Sequence, residues 1–138
     1  MTPRHFFDTN VLLYSISKDP SEVGKRLRAI ELLDEPGGAM SIQVLQEFYV
    51  QATRPSRVDA IPHDVAAQLV TSWTRFAIQD LNMSVFLQAL DIKKQCGFSY
   101  WDSAVVAAAR EMGCEVLYSE DLSHGQVVSG VRLMNPFR

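Results

Sequence analysis

His5-Phe6-Phe7-Asp8-Thr9-Asn10-Val11-Leu12 is the stretch whose reading decides the fold. His5-Phe6-Phe7 reads as a short strand, Asp8-Thr9-Asn10 closes it, and Val11 to Ser15 starts a helix. A strand that passes straight into a helix is the first half of a βαβ unit, and the chain goes on alternating short apolar runs with longer amphipathic ones. Asp19-Pro20-Ser21-Glu22 opens a helix, with Asp19 as N-cap and Glu22 completing a capping box. Val23, Leu27, Ile30 and Leu33 are expected to form its buried stripe, and Glu35-Pro36-Gly37-Gly38 stops it.

Ala39-Met40 predicts a small strand that leads through Ser41 into a helix from Gln43 to Arg54, ended by Pro55. Pro62 opens the next helix, whose apolar face holds Ala66, Leu69, Val70, Trp73, Phe76 and Ala77. A strand is expected over Ile78 to Leu81, then a helix capped by Ser84 and running to Cys96, with Gly97 at its end. Ser99 caps a helix from Tyr100 to Met112. Glu115 to Tyr118 and Val131 to Met134 read as the last strands, with a polar loop between them. The expectation is one α/β domain over residues 1–138, with a central, mainly parallel sheet of about five strands.

Composition bounds the function. The chain has 138 residues, 47% hydrophobic and 21% charged, which suits one ordinary globular domain and excludes disorder. Two cysteines, Cys96 and Cys114, are too few for a disulfide scaffold and lack zinc or redox spacing. No apolar run approaches the ~20 residues that span a bilayer, and Met1 to His5 lacks the apolar core of a secretory signal, so a cytoplasmic protein is expected. A net charge of -3 argues against a broad, basic nucleic-acid-binding face.

In open parallel sheets, ligands bind outside the carboxyl ends of the strands. Asp8 and Asp121 sit just past strands, Asp102 lies in the first turn of a helix, and Glu47 lies early in the helix after Ala39-Met40. Each also has a local reading. Asp8 suits a helix cap, and Asp121 suits a turn. Gln43, Glu47, Gln51 and Arg54 suit a solvated helix face, while Ser99 and Asp102 make an S-x-x-D capping box. Spacing alone leaves these alternatives open.

Taken together, four short stretches resemble the motifs of PIN-domain nucleases. They are Phe6-Phe7-Asp8-Thr9-Asn10-Val11-Leu12, Ser41 with Gln46-Glu47-Phe48, Tyr100-Trp101-Asp102-Ser103-Ala104, and Leu117-Tyr118-Ser119-Glu120-Asp121-Leu122. They come in the family's order and span essentially the whole chain, and the closing Asn135-Pro136-Phe137 is similar to endings seen in VapC-type toxins. The resemblance implies a three-layer α/β/α sandwich. It implies that Asp8, Glu47, Asp102 and Asp121 hold Mg²⁺ or Mn²⁺, supported by Thr9, Asn10 and Ser119. The fourth motif departs from the family's usual T-x-D: Ser119 keeps the hydroxyl, and Glu120 adds a carboxylate that leaves the ligand between Glu120 and Asp121 open.

The implied function is a metal-dependent endoribonuclease, the toxin of a VapBC-type pair that inhibits translation, acting on transfer RNA or a ribosomal RNA loop. A VapB-like antitoxin and a homodimer are the implied partners. Leu12, Leu13 and Tyr14 are candidates for those surfaces, with core burial the competing explanation. Physical chemistry agrees on the metal. Two carboxylates ~4 Å apart repel by roughly 4 kcal/mol at an effective dielectric of 20, so a cluster of four needs a counter-cation. All-oxygen donors favour Mg²⁺ or Mn²⁺ over zinc. Two divalent ions would cancel the four charges, so the acidity that argued against a nucleic-acid substrate fits an empty metal site.

Arg54 and Arg57 are candidate RNA contacts, with Lys93, Lys94 and Arg110 as further basic positions. Trp101 could stack on a base, whereas Trp73 falls on an apolar face. Two alternatives remain. A haloacid-dehalogenase-like phosphatase needs a second aspartate two residues after the first, where this chain has Asn10, and a late lysine, where none follows Lys94. An inactive PIN-like interaction module would not need all four acidic positions filled.

Overall fold

A computed structural model describes residues 3–138; Met1 and Thr2, part of the stretch read above for a leader, lie outside the described residues. Among the described residues six strands form one sheet: β1 (His5–Phe7), β2 (Gly38–Ser41), β3 (Ala77–Gln79), β4 (Val116–Tyr118), β5 (Val127–Val128) and β6 (Val131–Met134). Their order is β3-β2-β1-β4-β6-β5, parallel throughout except for the β5–β6 pair. Six helices connect them: α1 (Thr9–Ser15), α2 (Val23–Asp34), α3 (Ile42–Ala52), α4 (His63–Trp73), α5 (Met83–Cys96) and α6 (Tyr100–Glu111). Among the described residues no helix is long and apolar enough to cross a membrane.

Chain direction turns at β1. From β1 the connections step outward to β2 and then β3, and from β3 the chain crosses back over the sheet to reach β4 on the other side of β1. Right-handed crossovers therefore put α1 to α4 on one face and α5 and α6 on the other, giving three layers. Contacts follow this division, with α1 packed on α2 and α3, α3 on α4, and α5 on α6.

The core lies on both faces of β1. Phe6 and Phe7 point to opposite sides and are both fully buried, which is what a central strand of a parallel sheet requires. One face is covered by a helix of unusual composition, α6, which packs on β2, β4 and β6. Ser103 to Ala109 are all buried, so α6 must be apolar around its whole circumference, and its alanines let it lie close to the sheet. At the start of β2, small size is obligatory at Gly38. A Cβ there would stand 2.7 Å from the Phe7 ring and 2.8 Å from the Phe76 ring.

The six strands agree with the expected, mainly parallel sheet of about five, β5 being a short extra strand in the polar loop after β4. That strand is held by a hairpin in which Ser129 and Gly130 both take positive φ, the geometry of a tight two-residue turn. The stripe expected on α2 is only half buried: Ala29, Leu32 and Leu33 pack inward, while Val23 and Leu27 are exposed. Asn82, not Ser84, caps α5 by accepting from the Val85 N–H at 2.9 Å. The strand placed at Ile78 to Leu81 starts one residue earlier and stops at Gln79. Leu12 is fully buried and so unavailable as a docking surface, and Leu13 and Tyr14 pack partly against the core.

Candidate active site

The turn in chain direction at β1 leaves a crevice at the carboxyl ends of β1 and β4, where adjacent connections leave in opposite directions. Asp8 follows β1 directly, and its N–H donates to the Tyr118 carbonyl at 3.0 Å, tying the two strand ends together. Ser119 to Asp121 follow β4. Ser41 ends β2 and caps α3 by accepting from the Val44 N–H, which places Glu47 one turn further along. Ser99 caps α6 in the same way through the Asp102 N–H at 3.1 Å, so Asp102 stands in that helix's first turn. Four elements thus bring Asp8, Glu47, Asp102 and Asp121 to the wall of one cavity of about 110 Å³.

Asp8 is 6% exposed and both its oxygens are engaged. Oδ1 caps α1 by accepting from the Thr9 N–H at 2.8 Å, and Oδ2 accepts from the Ser119 hydroxyl at 2.8 Å. Burial still pushes its pKa up to about 6, against the lowering effect of those two donors, and the charges of Glu47 and Asp102 push the same way. Asp102 is raised too, first by burial and then by Asp121 and Glu47. The four carboxylates therefore feel one another across the cavity.

The supporting residues join the acids in pairs. Thr9 Oγ1 donates to Glu47 Oε2 at 2.9 Å, and the Gln43 amide donates to Glu47 Oε1 at 2.9 Å. The Asn10 amide reaches both Ser119 Oγ and Asp121 Oδ2 at 3.3 Å, while Asn10 Oδ1 accepts from the Glu120 N–H at 3.2 Å. Thr9, Asn10 and Ser119 thus hold three of the four carboxylates in place. Among the described residues, no three acidic, histidine or cysteine side chains are arranged to chelate a single ion directly. The donors ring the cavity instead. That spread suits a hard cation that keeps several waters between itself and the protein, as Mg²⁺ does. The donor set is all oxygen, and a buried carboxylate held near pH 6 by burial and its neighbours' charge is what a cation would relieve, so the residues fit such an ion.

Glu120 faces elsewhere. Its carboxylate accepts from the Tyr14 hydroxyl at 2.5 Å and from Lys25 Nζ at 2.7 Å, and it does not line the cavity. Lys25 also lies over the Tyr14 ring, and Tyr14 packs edge-on against Phe137, so this cluster fastens the β4 loop to α1, α2 and the C-terminal segment. Sequence reasoning gave no role to Lys25 or Gln43. Helical spacing puts Gln43 on a solvated face, yet it is 8% exposed and holds Glu47; its place two residues after the Ser41 cap is the available signal.

The basic candidates divide. Arg54 stands beyond the end of α3 on the side where Glu47 and Gln51 lie. Arg57 turns away, paired with Asp59 at 2.9 Å in a different hollow. Lys93 and Lys94 occupy the last turn of α5 and Arg110 that of α6, where the helix dipole favours positive charge. None of the three histidines lines the cavity. His63 Nδ1 meets the Tyr49 hydroxyl, His124 Nδ1 accepts from the Asn135 N–H, and His5 packs against Tyr118.

The sequence profile of the PIN domain family matches residues 5–128. Among curated proteins none matches the sequence significantly. Solved structures are similar in fold. A toxin–antitoxin complex from Klebsiella pneumoniae superimposes with a TM-score of 0.71 at 18% identity, covering 96% of this chain and 97% of that one. VapC20 of Mycobacterium tuberculosis, a sarcin–ricin loop cleaving toxin, gives 0.64 at 19% identity, covering 82% and 86%. FitAcB from Neisseria gonorrhoeae gives 0.67 at 17% identity, covering 96% and 98%.

Proposed function

Because the chain belongs to the PIN-domain family, we propose that it is a divalent-metal-dependent endoribonuclease, acting as a single domain over residues 1–138. The observation that carries this reading is that Asp8, Glu47, Asp102 and Asp121, from four separate elements, line one cavity at the turn in strand order. These four would hold Mg²⁺ or Mn²⁺. When bound, the ion supplies charge stabilisation for a phosphodiester under attack and makes water acidic enough to act as the nucleophile.

The chain's own residues do the positioning. Thr9 and Ser119 keep the Asp8 carboxylate fixed and ionisable against its burial, which would otherwise hold a proton on it. Thr9 and Gln43 orient Glu47, and Asn10 orients Asp121. The carboxylates line a recess of about 110 Å³, where charges act at lower dielectric than in solution.

Fold neighbours that are toxin–antitoxin complexes, and one that cleaves the sarcin–ricin loop, support the further reading that this chain is the toxin of a VapBC-type pair. On that reading it acts in the cytoplasm on transfer or ribosomal RNA, inhibits translation, forms a homodimer and is restrained by a VapB-like antitoxin. The phosphatase alternative is not favoured. The position where it needs an acid is Asn10, whose amide groups are committed to Ser119, Asp121 and the Glu120 N–H. Asp8→Asn and Asp102→Asn should abolish metal-dependent RNA cleavage while circular dichroism stays native. Cleavage by both variants at the wild-type rate would overturn the assignment.

A further inference from the structure

Beside the acidic cavity lies a wider hollow of about 350 Å³, within the roughly 300–1,000 Å³ typical of small-ligand sites. Glu47, Gln51 and Trp101 line both, so the two are continuous. One wall is the outward side of α3, which presents Gln46, Val50 and Gln51 and ends at Arg54; the other is the Trp101 indole at the start of α6. Trp101 is 63% exposed and Val50 54%. Unlike Trp73, which is 4% exposed and packed edge-on against Phe48, Trp101 is kept at the surface.

Its position is nonetheless fixed. The indole meets the Tyr100 ring edge-on at 5.0 Å, Tyr100 meets Phe86 at 5.9 Å, and the Gln43 amide donates to the Trp101 carbonyl at 3.3 Å. A rigid, exposed aromatic at the mouth of a cavity suits stacking, because little ordering is left to be done on binding. Arg54, in contrast to Arg57, makes no ion pair among the described residues.

We propose that this hollow is a nucleobase subsite for the nucleotide next to the scissile phosphate. An unpaired base of single-stranded RNA stacks on Trp101 over the apolar Val50, the amides of Gln46 and Gln51 face its polar edge, and Arg54 takes the flanking phosphate. Aromatic stacking accepts any base, while side-chain amides supply both donors and acceptors. An apolar peptide segment in the same place would cover Val50 and Trp101 but leave the amides and the guanidinium unpaired, at a desolvation cost. The inference rests on reading the acidic cavity as a phosphodiester site, since that reading puts a phosphate within reach of the hollow.

The test uses binding without cleavage. The full chain, treated with a chelator, is titrated with a short unstructured oligoribonucleotide and with its abasic counterpart, following tryptophan emission and the anisotropy of labelled RNA. With Trp73 buried, solvent-exposed emission reports Trp101. The expected result is quenching by the base-bearing strand only, about tenfold weaker binding for Trp101→Ala, and recovery of most of the loss in Trp101→Tyr. Unchanged emission at saturating RNA, or wild-type affinity in Trp101→Ala, would overturn it. A Trp101 signal that shifts on dilution of the protein alone would assign the indole to self-association and overturn it too. Cleavage is not part of the readout, so a chain that binds bases here but never cuts RNA would sink the nuclease reading and leave the subsite standing.

Discussion

The Ser119 hydroxyl, at the end of β4, donates a 2.8 Å hydrogen bond to Oδ2 of Asp8, at the end of β1. With the Asn10 bonds to Ser119 and Asp121 it links the first and last acidic segments, and it lowers the pKa of a carboxylate that burial raises. Ser119→Ala should leave that oxygen without its donor. Metal affinity, read by calorimetry, should fall about 10- to 100-fold, the usual effect of losing a partner that orients a ligand. Ser119→Thr keeps the hydroxyl and should bind metal nearly as the wild type does. Equal affinity in the alanine variant would show that the bond has no part in metal binding.

Glu120 and Asp121 are neighbours with opposite assignments. Asp121 lines the cavity, while Glu120 is committed to Tyr14 and Lys25. Asp121→Asn should therefore lose most cleavage, and Glu120→Gln should retain most of it, measured on the same RNA with the same metal. The reverse order would move the ligand to Glu120.

Asp8 makes the metal-free protein sensitive to pH in a definite direction. Its folded pKa, about 6, lies above the ordinary aspartate value of 3.8, so between these values the folded state binds more protons than the unfolded one. Asp8's own contribution to stability is then fully present below about pH 4 and is lost as pH rises through 6, a change on the order of 3 kcal/mol. Asp102, raised as well, adds in the same sense. Urea midpoints in chelator should drop across this window, the drop should shrink in Asp8→Asn, and saturating Mg²⁺ or Mn²⁺ should offset it by binding the folded state. A midpoint that rises from pH 4 to 7 in chelator, equally in wild type and Asp8→Asn, would contradict the burial of an ionisable Asp8.

Gly38 is a packing constraint rather than a flexible joint. Its missing Cβ is the space into which the Phe7 and Phe76 rings close, with Phe7 on the strand that carries Asp8. Gly38→Ala should cost about 1–3 kcal/mol in thermal or denaturant unfolding, the range for an overfilled core. No loss of stability would mean that both rings move aside freely.

Much of this molecule was legible because apolar runs bounded by turn residues mark buried strands whatever surrounds them. His5-Phe6-Phe7 and Val131 to Met134 have the expected bounds, and Asp8, Glu47, Asp102 and Asp121 share a cavity. What stayed hidden depended on partners distant in sequence. Val127–Val128 is a strand only because β6 lies beside it, and two valines in a polar loop carry no periodicity. Helical spacing placed Val23 and Leu27 in line with Leu33 but does not reveal how far the neighbouring surface extends, and both residues lie exposed. Gln43 and Glu47 read as a wet helix face because spacing registers polarity and not the Thr9 hydroxyl 38 positions away.

The central position of β1 has a consequence for the life of the chain. Asp8 is made well before Asp102 and Asp121, and β1 meets β4 only when Tyr118 has been made and docked. A nascent or truncated chain ending before Asp121 carries an incomplete acidic set, and these distant parallel pairings are slow to form. On the proposed nuclease reading, cutting therefore waits until the segment that carries Asp121 has joined the cavity.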